Sequence, residues 1–104
     1  MASPGAVHYM FIYILRCSDG TFYTGVTNNL ENRLNQHRLG QNSKSYTYSR
    51  RPLELAFMEG FQDADYAIEW EKRIKSWNRK KKEALINGDF KLLPSLSKKK
   101  FSKE

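Results

Sequence analysis

A single cysteine, Cys17, stands in the 104 residues. That excludes an intrachain disulfide and a multi-cysteine zinc site, and argues against a disulfide-linked partner. Long apolar runs are also missing. The longest, Met10 to Leu15, has the length of a strand, far below the roughly 18–20 residues a membrane-spanning helix needs. The opening Met-Ala-Ser-Pro-Gly-Ala has neither the basic flank nor the apolar stretch of a signal peptide, so a cytoplasmic location is expected. Acidic side chains are in the minority, 11 against 18 Lys and Arg, for a net charge of +7. A chain this short supports one core and therefore one domain.

The positive charge is unevenly placed. Residues 1–71 carry eight acids and six Lys or Arg, a net of −2, whereas residues 72–104 carry three acids and twelve bases, a net of +9. Within the first part, residues 53–71 hold six acids and no Lys or Arg. Basic runs of this kind neutralise phosphates and release counterions, although a solvated helix face and a solubilising tail have the same composition.

Periodicity gives the order of elements. His8 to Arg16 is aromatic and β-branched without a breaker and reads as a central strand, with Tyr9, Phe11, Tyr13 and Leu15 on one face. Ser18-Asp19-Gly20 is a turn, and Phe22 to Val26 a second strand. A two-residue loop puts Tyr13 and Tyr23 on opposite faces. A three-residue loop with Gly20 left-handed pairs Cys17 with Thr21 and puts Tyr13, Tyr23 and Gly25 on one face. Asn28 and Glu31 have the spacing of a capping box, and Gly40 ends the helix they open. A basic loop from Lys44 to Arg51 leads through Pro52 to a third strand, Leu53 to Glu59. Helices follow from near Asp63 to about Trp77 and from Arg79 to Ile86, stopped at Asn87-Gly88. The fold class is α/β (α+β), a three-stranded mainly antiparallel sheet flanked by helices in the order ββαβα(α). Residues 1–7 form a flexible N-terminus, 8–88 the domain and 89–104 a basic flexible tail.

Two helices place ionisable groups where hydrocarbon is expected. Arg33 and His37 share a face with Leu30 and Leu34. In the next helix the stripe toward the sheet is Ala67, Trp70 and Ile74, and Glu71 projects within about 40° of Ala67 while Glu69 points away. Each has a structural reading: an arginine snorkels, a boundary histidine is satisfied locally, and Glu71 pairs with Lys75 one turn on. Together with Tyr13 and Tyr23 they supply phenols, a guanidinium, an imidazole and a carboxylate. That inventory suits phosphodiester hydrolysis assisted by a divalent cation.

The arrangement resembles the GIY-YIG nuclease superfamily, in particular its small stand-alone bacterial members. Phe11-Ile12-Tyr13 matches the first motif without its glycine, and Tyr23-Thr24-Gly25 the second with Thr for the middle Ile. Arg33 follows Tyr23 by ten residues and His37 by fourteen, and Glu71 falls on the glutamate of the family's metal-binding helix. Val26 stands where some members carry lysine, and Asn78 is a loose counterpart of an asparagine of the larger members. The resemblance implies a metal-dependent endonuclease acting on nucleic acid, DNA ahead of RNA, in repair or recombination. Glu71 would hold Mg²⁺ or Mn²⁺, Tyr23 with Tyr13 would activate or orient water, Arg33 would contact the scissile phosphate, and His37 would assist proton transfer or phosphate contact. Which tyrosine is the base stays open. Gly25 is expected to leave room for the approaching phosphate backbone.

Target choice would then fall to Lys44, Arg50 and Arg51 in the loop and to Lys72, Lys75, Arg79, Lys80, Lys81 and Lys82, with Tyr46 and Tyr48 either stacking on bases or packing against the sheet edge. The alternative is a module of the same fold that binds nucleic acid without cutting it; a protein-interaction domain recruiting an acidic partner is a further class. The charge split yields a prediction. Deleting Lys98, Lys99, Lys100 and Lys103 should weaken nucleic-acid binding and flatten its dependence on salt, while cleavage at low salt persists; a plot of log affinity against log salt concentration measures the slope.

Overall fold

The computed structural model describes residues 10–89. Its elements are β1 (Met10–Arg16), β2 (Phe22–Thr27), α1 (Leu30–Leu39), a single 3₁₀ turn (Tyr48–Arg50), β3 (Glu54–Phe61), α2 (Ala64–Ser76) and α3 (Arg79–Asn87). The sheet order is β2-β1-β3 with both pairs antiparallel, so β1 is the central strand the apolar run requires. The expected order of elements is observed. Tyr9 and the residues of the tail after Asp89 lie outside the described residues.

The β1–β2 connection is the three-residue loop. The Cys17 amide donates to the Thr21 carbonyl at 2.8 Å, the Gly20 amide donates to Cys17 at 2.9 Å, and Gly20 takes a left-handed φ of 86°. An L side chain at that φ would be strained, which is the physical demand for glycine here. Register follows from the loop: Tyr13 lies opposite Gly25 and Leu15 opposite Tyr23. Both tyrosines therefore share a face.

The two faces of β1 have different fates. Ile12 and Ile14 enter the core with Phe61 of β3, with Ala67, Trp70 and Ile74 of α2, and with Ala84 and Leu85 of α3. This is the amphipathic stripe read from the α2 sequence, and Asp63 starts that helix by accepting from the amides of Asp65 and Tyr66. Tyr13 and Leu15 point the other way, toward α1: His37 reaches the Tyr13 hydroxyl, and Leu15 lines a cleft with Leu34 and His37.

Two expectations shift. The cap of α1 is Asn29, accepting from the Asn32 amide, one residue beyond the Asn28 expected, because Thr27 continues β2 to the edge of the turn. β3 starts at Glu54 and runs to Phe61, two residues past Glu59, since Met10 and Phe11 still offer it partners, Phe61 and Gly60. Asn78, the loose counterpart of a family asparagine, caps α3 by accepting from the Lys81 amide. A β-bulge at Ala56 offsets the β1–β3 register between Ile14 and Leu15.

Gly25 has a structural reason different from the expected one. A Cβ there would come to 2.5 Å from Tyr13 Cζ and 2.9 Å from Cε2, and against its hydroxyl. The glycine makes room for the Tyr13 ring. Gly25→Ala should thus destabilise the fold by about 1–3 kcal/mol, read as a lower midpoint in urea unfolding, because the ring it displaces is buried.

Candidate active site

Tyr13 has no solvent exposure, and its hydroxyl lies 3.0 Å from Nε2 of His37. The other ring nitrogen, Nδ1, lies 2.9 Å from Oγ1 of Thr47, which in turn lies 3.2 Å from Oγ of Ser45. Thr47 is 1% exposed. A continuous polar line thus runs from the central strand through α1 into the loop before β3. Sequence reasoning did not single out Thr47 or Ser45; the signal available was only a loop that returns toward α1.

Around this line the rings close up. Tyr23 and His37 have centroids 5.3 Å apart at 64°, and Tyr13 and Tyr23 lie 6.2 Å apart. Tyr46 stacks on Tyr23 at 6.0 Å and 22°, and Arg50 Cζ sits 3.9 Å from the centre of the Tyr46 ring. Tyr46 thus packs against the site with part of its ring, while 43% of its surface stays exposed. Tyr23, Arg33 and His37 line a cavity of about 360 Å³, completed by Gln36, Gln41, Asn42 and Ser45. A larger and mostly apolar hollow of about 470 Å³ lies elsewhere, between the start of α1 and Met58, and none of the tyrosines lines it.

Burial and charge set the protonation states. Desolvation pushes the Tyr13 phenol up to about 12, partly offset by hydrogen bonding and charge from Arg33 and reinforced by Tyr23. Tyr13 accordingly keeps its proton at neutral pH. Burial also holds the His37 imidazole below the usual histidine value, and the nearby Arg33 charge acts in the same direction. His37 is therefore neutral near pH 7.

Tyr13, Tyr23, Arg33 and His37 come together; Glu71 is carried by α2, the helix whose apolar residues Ala67, Trp70 and Ile74 pack with Ile12 and Ile14 of β1. It is 6% exposed, and its Oε2 accepts from Lys75 Nζ at 3.0 Å. It does not line the 360 Å³ cavity. Among the described residues no three His, Cys, Asp or Glu side chains group to hold a metal ion. One carboxylate nonetheless fits a hard cation such as Mg²⁺, which keeps most of its waters and takes one or two carboxylates plus substrate phosphate.

The basic residues divide. Arg50 donates to Asp19 Oδ2 at 3.1 Å and to the Tyr46 carbonyl at 2.8 Å, and Arg51 donates to the Tyr48 carbonyl and lies over the Tyr48 ring. These two, expected as phosphate contacts, also brace the loop and remain half-exposed. Arg79 pairs with Glu83 and donates to the Gly20 carbonyl, and Lys75 is held by Glu71. Lys44, Lys72 and Lys80 are exposed, while Lys81 and Lys82 are half-buried.

These features define a small α+β domain whose polar site sits between a hairpin, one helix and a loop. Residues 9–84 match the GIY-YIG catalytic domain, and the chain belongs to that family, which is one of nucleases. A UPF0213 protein of Bacillus pumilus is 44% identical over 79 residues, 76% of this chain and 80% of that protein. One from Natronomonas pharaonis is 44% identical over 81 residues, 78% and 92% of the two chains. Two solution NMR structures share the fold. The UPF0213 protein BH0048 from Bacillus halodurans has a TM-score of 0.52 and 35% identity, covering 76% of this chain and 83% of that one. The protein EF2693 from E. faecalis has a TM-score of 0.55 and 34% identity, covering 85% and 90%. No described helix is long and apolar enough to cross a membrane.

The depressed His37 value has a consequence for stability. In the unfolded chain the imidazole titrates near about 6.5, so as pH falls through that value the unfolded state takes up a proton that the folded state resists. Stability should be full above about pH 7 and decline on acidification below about 6.5. Arg33→Met should raise the His37 midpoint, which a proton NMR titration of its ring signals follows.

Proposed function

We propose that this protein is a divalent-metal-dependent endonuclease that hydrolyses phosphodiester bonds, with DNA as its substrate in repair or recombination. The observation that carries the reading is the convergence of Tyr23, Arg33 and His37 on one cavity with Tyr13 directly beneath. Arg33 supplies a fixed positive charge at the cavity wall, suited to a phosphate and to the charge that builds on it as water attacks phosphorus. Tyr23 is the phenol facing the cavity, and it orients or deprotonates that water. Tyr13, whose phenol burial pushes up to about 12, is the less suited of the two tyrosines to act as the base. His37 has both ring nitrogens engaged within the protein and so holds the site rather than touching substrate.

Glu71 is the residue that would hold Mg²⁺ or Mn²⁺, through the carboxylate now paired with Lys75. A bound cation would polarise the phosphate and offset charge on the leaving oxygen. The lysines of α2 and α3 draw a polyanion toward the domain without reading its sequence.

Incubation of plasmid, single-stranded and branched DNA, and of RNA, with the protein and Mg²⁺ or Mn²⁺ tests this. Wild type should cut. Tyr23→Phe should lose at least about 100-fold in cleavage rate, and Glu71→Ala should lose cleavage, both with binding retained. Unchanged cleavage by Glu71→Ala would remove the metal assignment. A wild type that binds nucleic acid and never cuts it is a binding module instead.

A further inference from the structure

We infer that Thr47 is a positioning residue of the site: it accepts the Nδ1–H of His37, which leaves Nε2 as the acceptor for the Tyr13 hydroxyl. The assignment deepens the nuclease reading and follows from hydrogen-bond accounting.

Tyr13 is fully buried and carries its proton, and a buried O–H left without an acceptor is costly. Arg33 cannot take that proton, because a guanidinium only donates. Two groups are placed to accept it, the Tyr23 hydroxyl and Nε2 of His37 at 3.0 Å; an imidazole nitrogen is the stronger acceptor, which assigns the proton to Nε2. A neutral imidazole has one donor and one acceptor nitrogen. With Nε2 accepting, the ring hydrogen sits on Nδ1 and must be donated, and Thr47 Oγ1 receives it at 2.9 Å. The Thr47 hydroxyl then passes its own hydrogen to Ser45 Oγ at 3.2 Å. Tyr13, His37 and Thr47 are then each used once as donor, and Ser45 ends the line as acceptor.

The loop is built to hold Thr47 there. Arg50 clamps it from both sides, donating to the Tyr46 carbonyl and to Asp19 of the β1–β2 turn, while its own carbonyl accepts from the Ser18 amide. The Arg50 amide donates to the Thr47 carbonyl at 3.0 Å. At 1% exposure, Thr47 is closed off from bulk solvent. Its role is that of an outer partner fixing a histidine tautomer, a position where mutation acts on chemistry through geometry.

The test is the tautomer of His37, read from long-range proton–nitrogen correlations of the imidazole in the full chain. The chain has two histidines, and His8→Gln identifies the His37 signals. Wild type should show a protonated Nδ1 and a bare Nε2 near pH 7. Thr47→Val keeps the shape without the acceptor; it should shift the ring toward the Nε2–H form and lower kcat roughly 10- to 100-fold with KM little changed. Thr47→Ser should restore both. An Nε2–H tautomer in wild type overturns the assignment, and so does a Thr47→Val protein that retains the Nδ1–H form. Should Thr47→Val fail to fold, the wild-type and Thr47→Ser tautomers decide alone. A wild type that cuts no nucleic acid while showing the Nδ1–H form counts against the nuclease reading and leaves the Thr47 assignment standing.

Discussion

The hydroxyl of Tyr13 is the group on which the rest of the site depends. A phenol on the middle strand of a sheet, closed off from solvent, needs room for its ring and a partner for its proton. Gly25 on β2 supplies the room, since any Cβ there would strike the ring. His37 on α1 supplies the partner, and the loop before β3 holds His37 through Thr47. One buried polar group thereby ties three other segments to β1. Leaving a buried donor unpaired costs about 1–3 kcal/mol, so these contacts stand or fall together.

The opposite face of the sheet allows this. Ile12, Ile14, Phe61, Trp70 and Ile74 make a hydrocarbon layer that needs nothing from the tyrosine side. The hydrocarbon core and the polar cluster are thus divided between the faces of one small sheet. Glu71 is the exception, a carboxylate at the margin of the apolar layer. Its pairing with Lys75 answers the desolvation it suffers, because the lysine stem covers apolar surface while the ammonium reaches water. The structural and functional readings of Glu71 are compatible: a carboxylate paired with one exposed, displaceable lysine remains a hard ligand.

Much of this was legible in the sequence because it rests on local rules. The helix stripe, the glycine stops at Gly40 and Gly88, and the parity argument that places Tyr13 and Tyr23 on one face all follow from spacing. The cap of α1 slipped by one residue because Asn28 and Asn29 are chemically identical candidates and only the end of β2 chooses between them. Thr47 was illegible for a different reason. Its partner lies ten residues away across a loop without periodicity, and threonine announces no chemistry. Gly25 was singled out, but its cause lies on the neighbouring strand, where only the cross-strand register shows it.

Summed charge concealed a further division that side-chain geometry reveals. Arg16, Arg50, Arg51, Arg73 and Arg79 each lie over an aromatic ring, and all but Arg51 also pair with a carboxylate. The planar guanidinium suits that work, since it stacks and donates in several directions at once. Arg33 departs from the pattern by lining the cavity. What remains for long-range attraction is Arg38 on α1, Lys44 in the loop and chiefly the lysines of α2 and α3, including Lys82, whose pKa burial and the neighbouring Lys75 push down. Ammonium groups on flexible stems act as point charges without directional preference. A field made of them gathers phosphate backbone but does not read bases, so under the nuclease reading any selectivity has to arise at the cavity, where Arg33 and the amides of Gln36, Gln41 and Asn42 stand together.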